Sequence, residues 1–169
     1  TLEAFADAAE KTDRSFQAGA LAMGAGIEIE TMPGYLPAIY QEYPEVLTEA
    51  LEELAEGRPV ERVKPGTHTG GSTDVGDVQH LLPVYTFHTG GMSGGRHQSD
   101  FGIVDEEEAY ILTAKVFAVS AYRMLKDGAA LAKQLKKEYH PVFASKEEYI
   151  AFMDQFRVVK EENYGNRSL

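Results

Sequence analysis

The sequence predicts an α/β fold. Three observations carry that expectation. An amphipathic helical pattern over residues 2–24 runs directly into an alternating strand pattern over residues 27–31. A long helix with a broad apolar face follows residue 105. Two glycine-rich stretches, residues 66–76 and 90–95, frame a short run of strand composition at residues 81–87.

Each element has its own reason. Phe5, Ala9, Thr12, Phe16, Ala20 and Met23 recur at spacings of three and four, while Glu3, Asp7, Glu10, Lys11 and Arg14 point elsewhere, and Gly24 and Gly26 end the helix. Ile27, Ile29 and Thr31 alternate with Glu28 and Glu30, the signature of a strand with one wet face. The prolines and glycine of residues 32–37 break the pattern and mark a boundary near Pro33. Val46, Leu47, Ala50, Leu51 and Leu54 predict a helix that stops at Gly57, and residues 60–64 a short strand. Asp105 with Glu108 forms a capping-box pattern ahead of Ala109, Leu112, Val116, Val119 and Tyr122, a helix whose alanines suit packing against a sheet and which ends at Gly128. A second amphipathic segment covers 129–139, Ser145 with Glu148 caps a third helix to about residue 155, and residues 156–169 are expected to be an irregular tail.

Composition narrows the chemistry. Sixteen Lys and Arg against 27 Asp and Glu give a formal charge of −11, and no basic stripe with interleaved aromatics occurs, which argues against nucleic acid as a partner. The absence of cysteine leaves His and carboxylate as metal ligands. No apolar run approaches the ~18 residues of a membrane helix, so no membrane partner is expected and a cytoplasmic protein is the natural reading.

Four of the five histidines and eight of the sixteen glycines fall within residues 66–101. Gly70 and Gly71 let backbone amides approach a ligand. With the hydroxyls of Ser72 and Thr73 they stand before a helix start at Asp74, where an anion is favoured; an ordinary turn and N-cap is the competing reading. Asp74 fits either a capping role or that of orienting a neighbouring group, and Asp77 reads as a first-turn helix residue. The second loop leads to Arg96, His97 and Asp100. Arg96 is placed to bind a substrate anion, with a plain surface role as the alternative. His68 and His88 have weaker claims than His97, and His80 and His140 read as structural. The paired carboxylates at 52–53, 106–108, 147–148 and 161–162 read as solvated charge.

The run GGSTDVGDVQHLLP, a Gly-rich stretch, then RHQSDFGIVDEEEAYILTAKVFAVSAYRML resembles the C-terminal part of the two-metal amidohydrolases and metallopeptidases related to aminoacylase and carboxypeptidase G, nearest the aminobenzoyl-glutamate utilization protein B subgroup. The resemblance covers roughly residues 1–128. It implies the C-terminal portion of a mixed-sheet catalytic domain over residues 33–155 with flanking helices, preceded at 1–32 by the last helix and strand of a lid, or dimerisation, domain. It implies two divalent metal ions, zinc by preference, with His97 as a metal ligand, and a substrate carboxylate held by Gly70, Gly71, Ser72 and Thr73; Asp100 stands near enough to His97 in sequence to act as a partner to it. The substrate would be an N-acyl or N-aroyl amino acid or small peptide, a small-molecule amide, and the protein a homo-oligomer, with association expected through residues 2–31.

The family's His-x-Asp motif, bridging carboxylate and acidic pair have no counterpart in this sequence. No catalytic residue is therefore assigned to the chain; the general base is expected upstream, and the chain alone is expected to be inactive. The alternative is a non-catalytic carboxylate-binding or interaction module.

Overall fold

The computed structural model describes residues 1–64, 66–67 and 73–165. It is a mixture of helices and small antiparallel sheets, divided into two compact units. One gathers Thr1–Ile39, Thr69–Leu82 and Pro141–Leu169; the other gathers Tyr40–His68 and Pro83–His140.

In the first unit, helix α1 (Leu2–Met23) begins where the Thr1 hydroxyl accepts the Ala4 N–H at 3.2 Å and ends at Gly24. Strand β1 (Gly26–Thr31) follows, as the alternation predicts. Its partner corrects the sequence reading: within residues 156–169, expected to be irregular, strand β4 (Val158–Asn163) pairs antiparallel with β1, from Gly26 opposite Asn163 to Thr31 opposite Val158. The Lys160 ammonium meets the Asp13 carboxylate at 2.6 Å, and the Phe5 ring packs edge-on against Phe156 at 5.3 Å. Phe5 is thus covered by the chain's own C-terminal segment, whereas Phe16 stays 61% exposed.

The core of this unit is Leu36, Phe143 and Met153, joined by half-buried Leu2, Leu81, Tyr149 and Phe152. Helix α3 (Val75–Gln79) is pressed against the chain at Leu36 so closely that a Cβ on Gly76 would run into the Leu36 carbonyl. Its side chains tie down that strand-like passage, the Asp77 carboxylate accepting from Leu36 N–H and the Gln79 amide oxygen from Ile39 N–H at 2.8 Å. His80 is buried, as its structural reading requires. Its Nδ1 donates to the Gly76 carbonyl at 2.7 Å, and its own carbonyl accepts from Val142 and Phe143. Helix α5 (Lys146–Asp154) starts at the expected Ser145 cap, with the Glu148 carboxylate reaching back to Ala144 N–H.

In the second unit, helix α2 (Glu45–Leu54) packs on α4 (Thr113–Glu138). Arg123 of α4 fastens the pair, donating to the Val46 carbonyl and the Glu53 carboxylate, both at 2.8 Å. Helix packing takes the place of the sheet that the alanines suggested. A π-helical turn, Glu107–Leu112, leads into α4, and non-helical backbone at 126–129 divides it where Gly128 was expected to end it. Strands β2 (Met92–Ser93) and β3 (Gly102–Ile103) form a short antiparallel ladder. Residues 60–64 and 81–87, expected as strands, form none, because neither finds a ladder partner among the described residues. Among those residues no helix is long and apolar enough to cross a membrane.

Candidate functional site

The candidate site lies in the second unit and is built by two pieces of chain. Residues 85–90 run extended with alternating burial, so that Tyr85, Phe87 and Thr89 turn inward while Thr86, His88 and Gly90 turn outward. The inward side chains are anchored. Tyr85 packs on Tyr43 at 5.5 Å, Phe87 meets Phe117 of α4 edge-on at 4.9 Å, and the Thr89 hydroxyl bonds that of Thr113 at 2.6 Å. That anchoring fixes which way His88 faces.

The second piece is the loop between β2 and β3. Its base is fixed at Gly91, whose carbonyl accepts from both Val104 and Asp105 N–H at 2.9 and 3.2 Å. Gly91 has φ +81°, and a Cβ there would strike the Asp105 carbonyl and the Ala109 amide, so only glycine lets the loop close against the head of the helix. Two turns follow: Gln98 N–H donates to Gly95 O at 3.0 Å, and Phe101 N–H to Gln98 O at 3.2 Å. In the first of them φ is positive at the third residue but not the second, the pattern of a type II turn, which favours Gly or Asn there. The residue there is His97, at φ +63°.

Together these pieces wall an open cleft of about 660 Å³, whose lining includes the polar His88, Arg96 and His97 and the apolar Met92 and Phe101. His88, Arg96 and His97 are all exposed, and Arg96 makes no ion pair among the described residues. Although the chain carries a charge of −11, none of the described residues lining this cleft is a carboxylate; Glu108 lies against Gly90. The cleft suits a ligand with an anionic group and a small apolar body.

Two of the sequence candidates, Arg96 and His97, therefore share one cleft, and His88, whose claim was weaker and which is exposed, lines it with them. The alternation from Tyr85 onward was the signal that could have placed it. Asp100 is not joined to His97: its carboxylate accepts from Gly95 N–H at 3.4 Å and braces the turn instead. Gly70, Gly71, Ser72 and His68 lie outside the described residues. Thr73 and Asp74 belong to the first unit. The Asp74 side chain caps no helix N–H; the Thr73 hydroxyl, which donates to it at 3.3 Å, accepts from Val75 N–H at 3.4 Å. Glu108, read as solvated charge, is half-buried. Its N–H bonds the Asp105 carboxylate as a cap should, and its own carboxylate lies against Gly90 and 3.5 Å from Arg58. His140, expected to be structural, is exposed two residues beyond the end of α4.

Among the described residues no three His, Asp or Glu side chains converge to hold a metal. Two imidazoles in one cleft are suitable donors for a borderline-soft divalent ion, but are fewer than the about three protein ligands a catalytic zinc takes. They fit a partial contribution to such a site and do not close one. The chain matches no protein-family model, no curated protein and no solved structure.

Proposed function

We propose that the chain is the C-terminal portion of a metal-dependent amidohydrolase acting on a small N-acyl or N-aroyl amino acid or peptide. The observation that carries this reading is His97, an imidazole at a turn position that favours glycine or asparagine, facing a cleft beside an unpaired arginine. A left-handed, non-glycine residue costs roughly 1–2 kcal/mol, and such outliers concentrate where function requires them.

In this reading His97 holds a divalent metal from the loop side, and His88 stands in the same cleft. Arg96 binds the substrate's carboxylate and orients it, while Met92 and Phe101 cover the acyl or aroyl body and exclude water from it. Bound divalent ions supply Lewis acidity at the scissile carbonyl and its attacking water. The remaining ligands and the general base come from outside the described residues. The unpaired Arg96 equally favours the second reading, a carboxylate-binding module without catalysis.

The test is the complete gene product, assayed with N-acyl and N-aroyl amino acids beside His97→Ala and His140→Ala. Metal content and turnover should fall together in the first and stay near wild type in the second. A complete reading frame without an upstream His-x-Asp motif and acidic pair would sink the hydrolase reading in favour of the binding module. Turnover by the 169-residue chain alone would overturn the division of ligands.

A further inference from the structure

Helix α4 is divided by a stretch of backbone that ordinary residues avoid. Lys126 is extended at ψ 165°, and Asp127, Gly128 and Ala129 follow at φ +54°, +67° and +62°. L-residues visit this region singly, and here three stand in succession, two of them carrying a Cβ. The residues around the bend are nevertheless phased as one helix. Met124, Leu131 and Leu135, all half-buried, stand at spacings of seven and four, which places them on one face of a continuous helix, and no proline interrupts Thr113–Glu138. We propose that residues 126–129 are the hinge of a segment exchange: with α4 straight, residues 130–165 of one copy pack onto a second copy, which returns the same segment.

The interface such an exchange uses is the one the chain already makes with itself. Beyond the hinge, β4 pairs with β1, Phe156 packs on Phe5, Lys160 meets Asp13, Phe143 and Met153 close on Leu36, and Tyr139 is hydrogen-bonded to Gln41. Each of these contacts joins a residue after position 129 to one before position 126. A second copy therefore satisfies all of them in trans, with no new complementarity required, and because the exchange is reciprocal it closes as a dimer. The tether opposes it, since a segment joined to its own partner sees that partner at a high effective concentration. Relief of the left-handed run in both chains favours it, as strain in a short hinge does generally. The association expected through residues 2–31 thereby takes a specific form, β1 of one chain paired with β4 of another.

The full chain, unfolded and then refolded at about 1 and about 200 µM, tests this by sedimentation. A dimer is expected at the higher concentration. Gly128→Ala places a Cβ at φ +67° and favours a straight helix, so it should raise the dimerisation constant at least ~tenfold; Ala129→Gly relieves the bend and should lower it. Because the chain has no cysteine, the strand pairing can be read directly. Glu28 and Glu161 face each other in the ladder, so Glu28→Cys chains refolded together with Glu161→Cys chains and oxidised should give a covalent dimer, and Glu28→Cys with Glu10→Cys should not. If Gly128→Ala fails to fold, wild type against Ala129→Gly makes the same comparison. A chain monomeric at both concentrations, a dimer with no link between positions 28 and 161, or a dimerisation constant unmoved by Ala129→Gly would overturn the proposal. None of these outcomes involves the cleft, so the hydrolase reading stands or falls separately.

Discussion

The Asp77 carboxylate accepts the main-chain N–H of Leu36 at 3.1 Å, across 41 residues of sequence. Leu36 is 2% exposed, so water cannot replace that acceptor. The same carboxylate also takes the Tyr149 hydroxyl, and one side chain on α3 thereby holds segments from both ends of its unit. Asp77→Ala should cost about 1–3 kcal/mol, the penalty of a buried donor left unpaired, and Tyr149→Phe about 1 kcal/mol. Denaturant titration of the two variants and their double mutant measures this. Strictly additive losses would show that the two bonds are not coupled through Asp77.

His97 presents a conflict between stability and function that a pair of substitutions resolves. Glycine accommodates φ +63° without strain and alanine does not. His97→Gly should therefore melt above His97→Ala, by the equivalent of about 0.5–1 kcal/mol, while both lose ligand or metal binding in the cleft. Equal melting temperatures would mean that the turn relaxes in solution and that the imidazole is not held at a backbone cost.

Glu28 and Glu161 sit directly opposite each other in the β1–β4 ladder. Like charges at facing positions weaken a pair of strands, and opposite charges strengthen it by roughly 0.2–1 kcal/mol. Glu161→Lys should increase amide-exchange protection across Val158–Asn163 and raise the melting temperature slightly. Unchanged protection would place the two carboxylates too far into solvent to interact.

Burial is the leading cause that raises the phenols of Tyr43, Tyr85, Tyr139 and Tyr149 above their ordinary pKa, with the Asp77 carboxylate adding to the effect at Tyr149. A group whose folded pKa lies above its unfolded value contributes stability that is complete below the unfolded pKa, near 10, and is lost as pH rises through the folded one. The fold should therefore hold to about pH 10 and weaken above it. Ultraviolet titration should show a late-ionising class among the nine tyrosines. A single transition at the free-tyrosine position would contradict this.

Local rules read most of the helices correctly. The Thr12, Phe16 and Ala20 spacing marked α1, and the Ser145 and Asp105 caps appear as hydrogen bonds to Glu148 and Glu108. What the sequence hid depends on distant partners. Val158–Asn163 has no period of its own, only Val-Val followed by charge, and becomes a strand because β1 offers it an edge. Residues 81–87 have strand composition, but Pro83 lacks an N–H to donate and no partner pairs with the run among the described residues. At the site, the loop that brings Arg96 and His97 to one cleft was visible from its composition. His88 was not, because its direction is set by Phe87 and Thr89 gripping α4. Asp77 looked like an ordinary first-turn acid, since Leu36 lies 41 residues away.

The pairing of β1 with β4 also orders the events of synthesis. The loop that it closes is roughly 130 residues long, and most of its entropic cost must be met before any ladder bond forms. At a ribosomal pace of ~5–20 residues per second, β1 waits on the order of ten seconds after emerging before its partner exists. Over that interval no other described strand stands beside Ile27 and Ile29, while α2 and the first part of α4 can already meet through Arg123. Synthesis thus exposes a bare strand edge early and covers it last, and a nascent chain stalled before Val158 would be the form most open to chaperone capture.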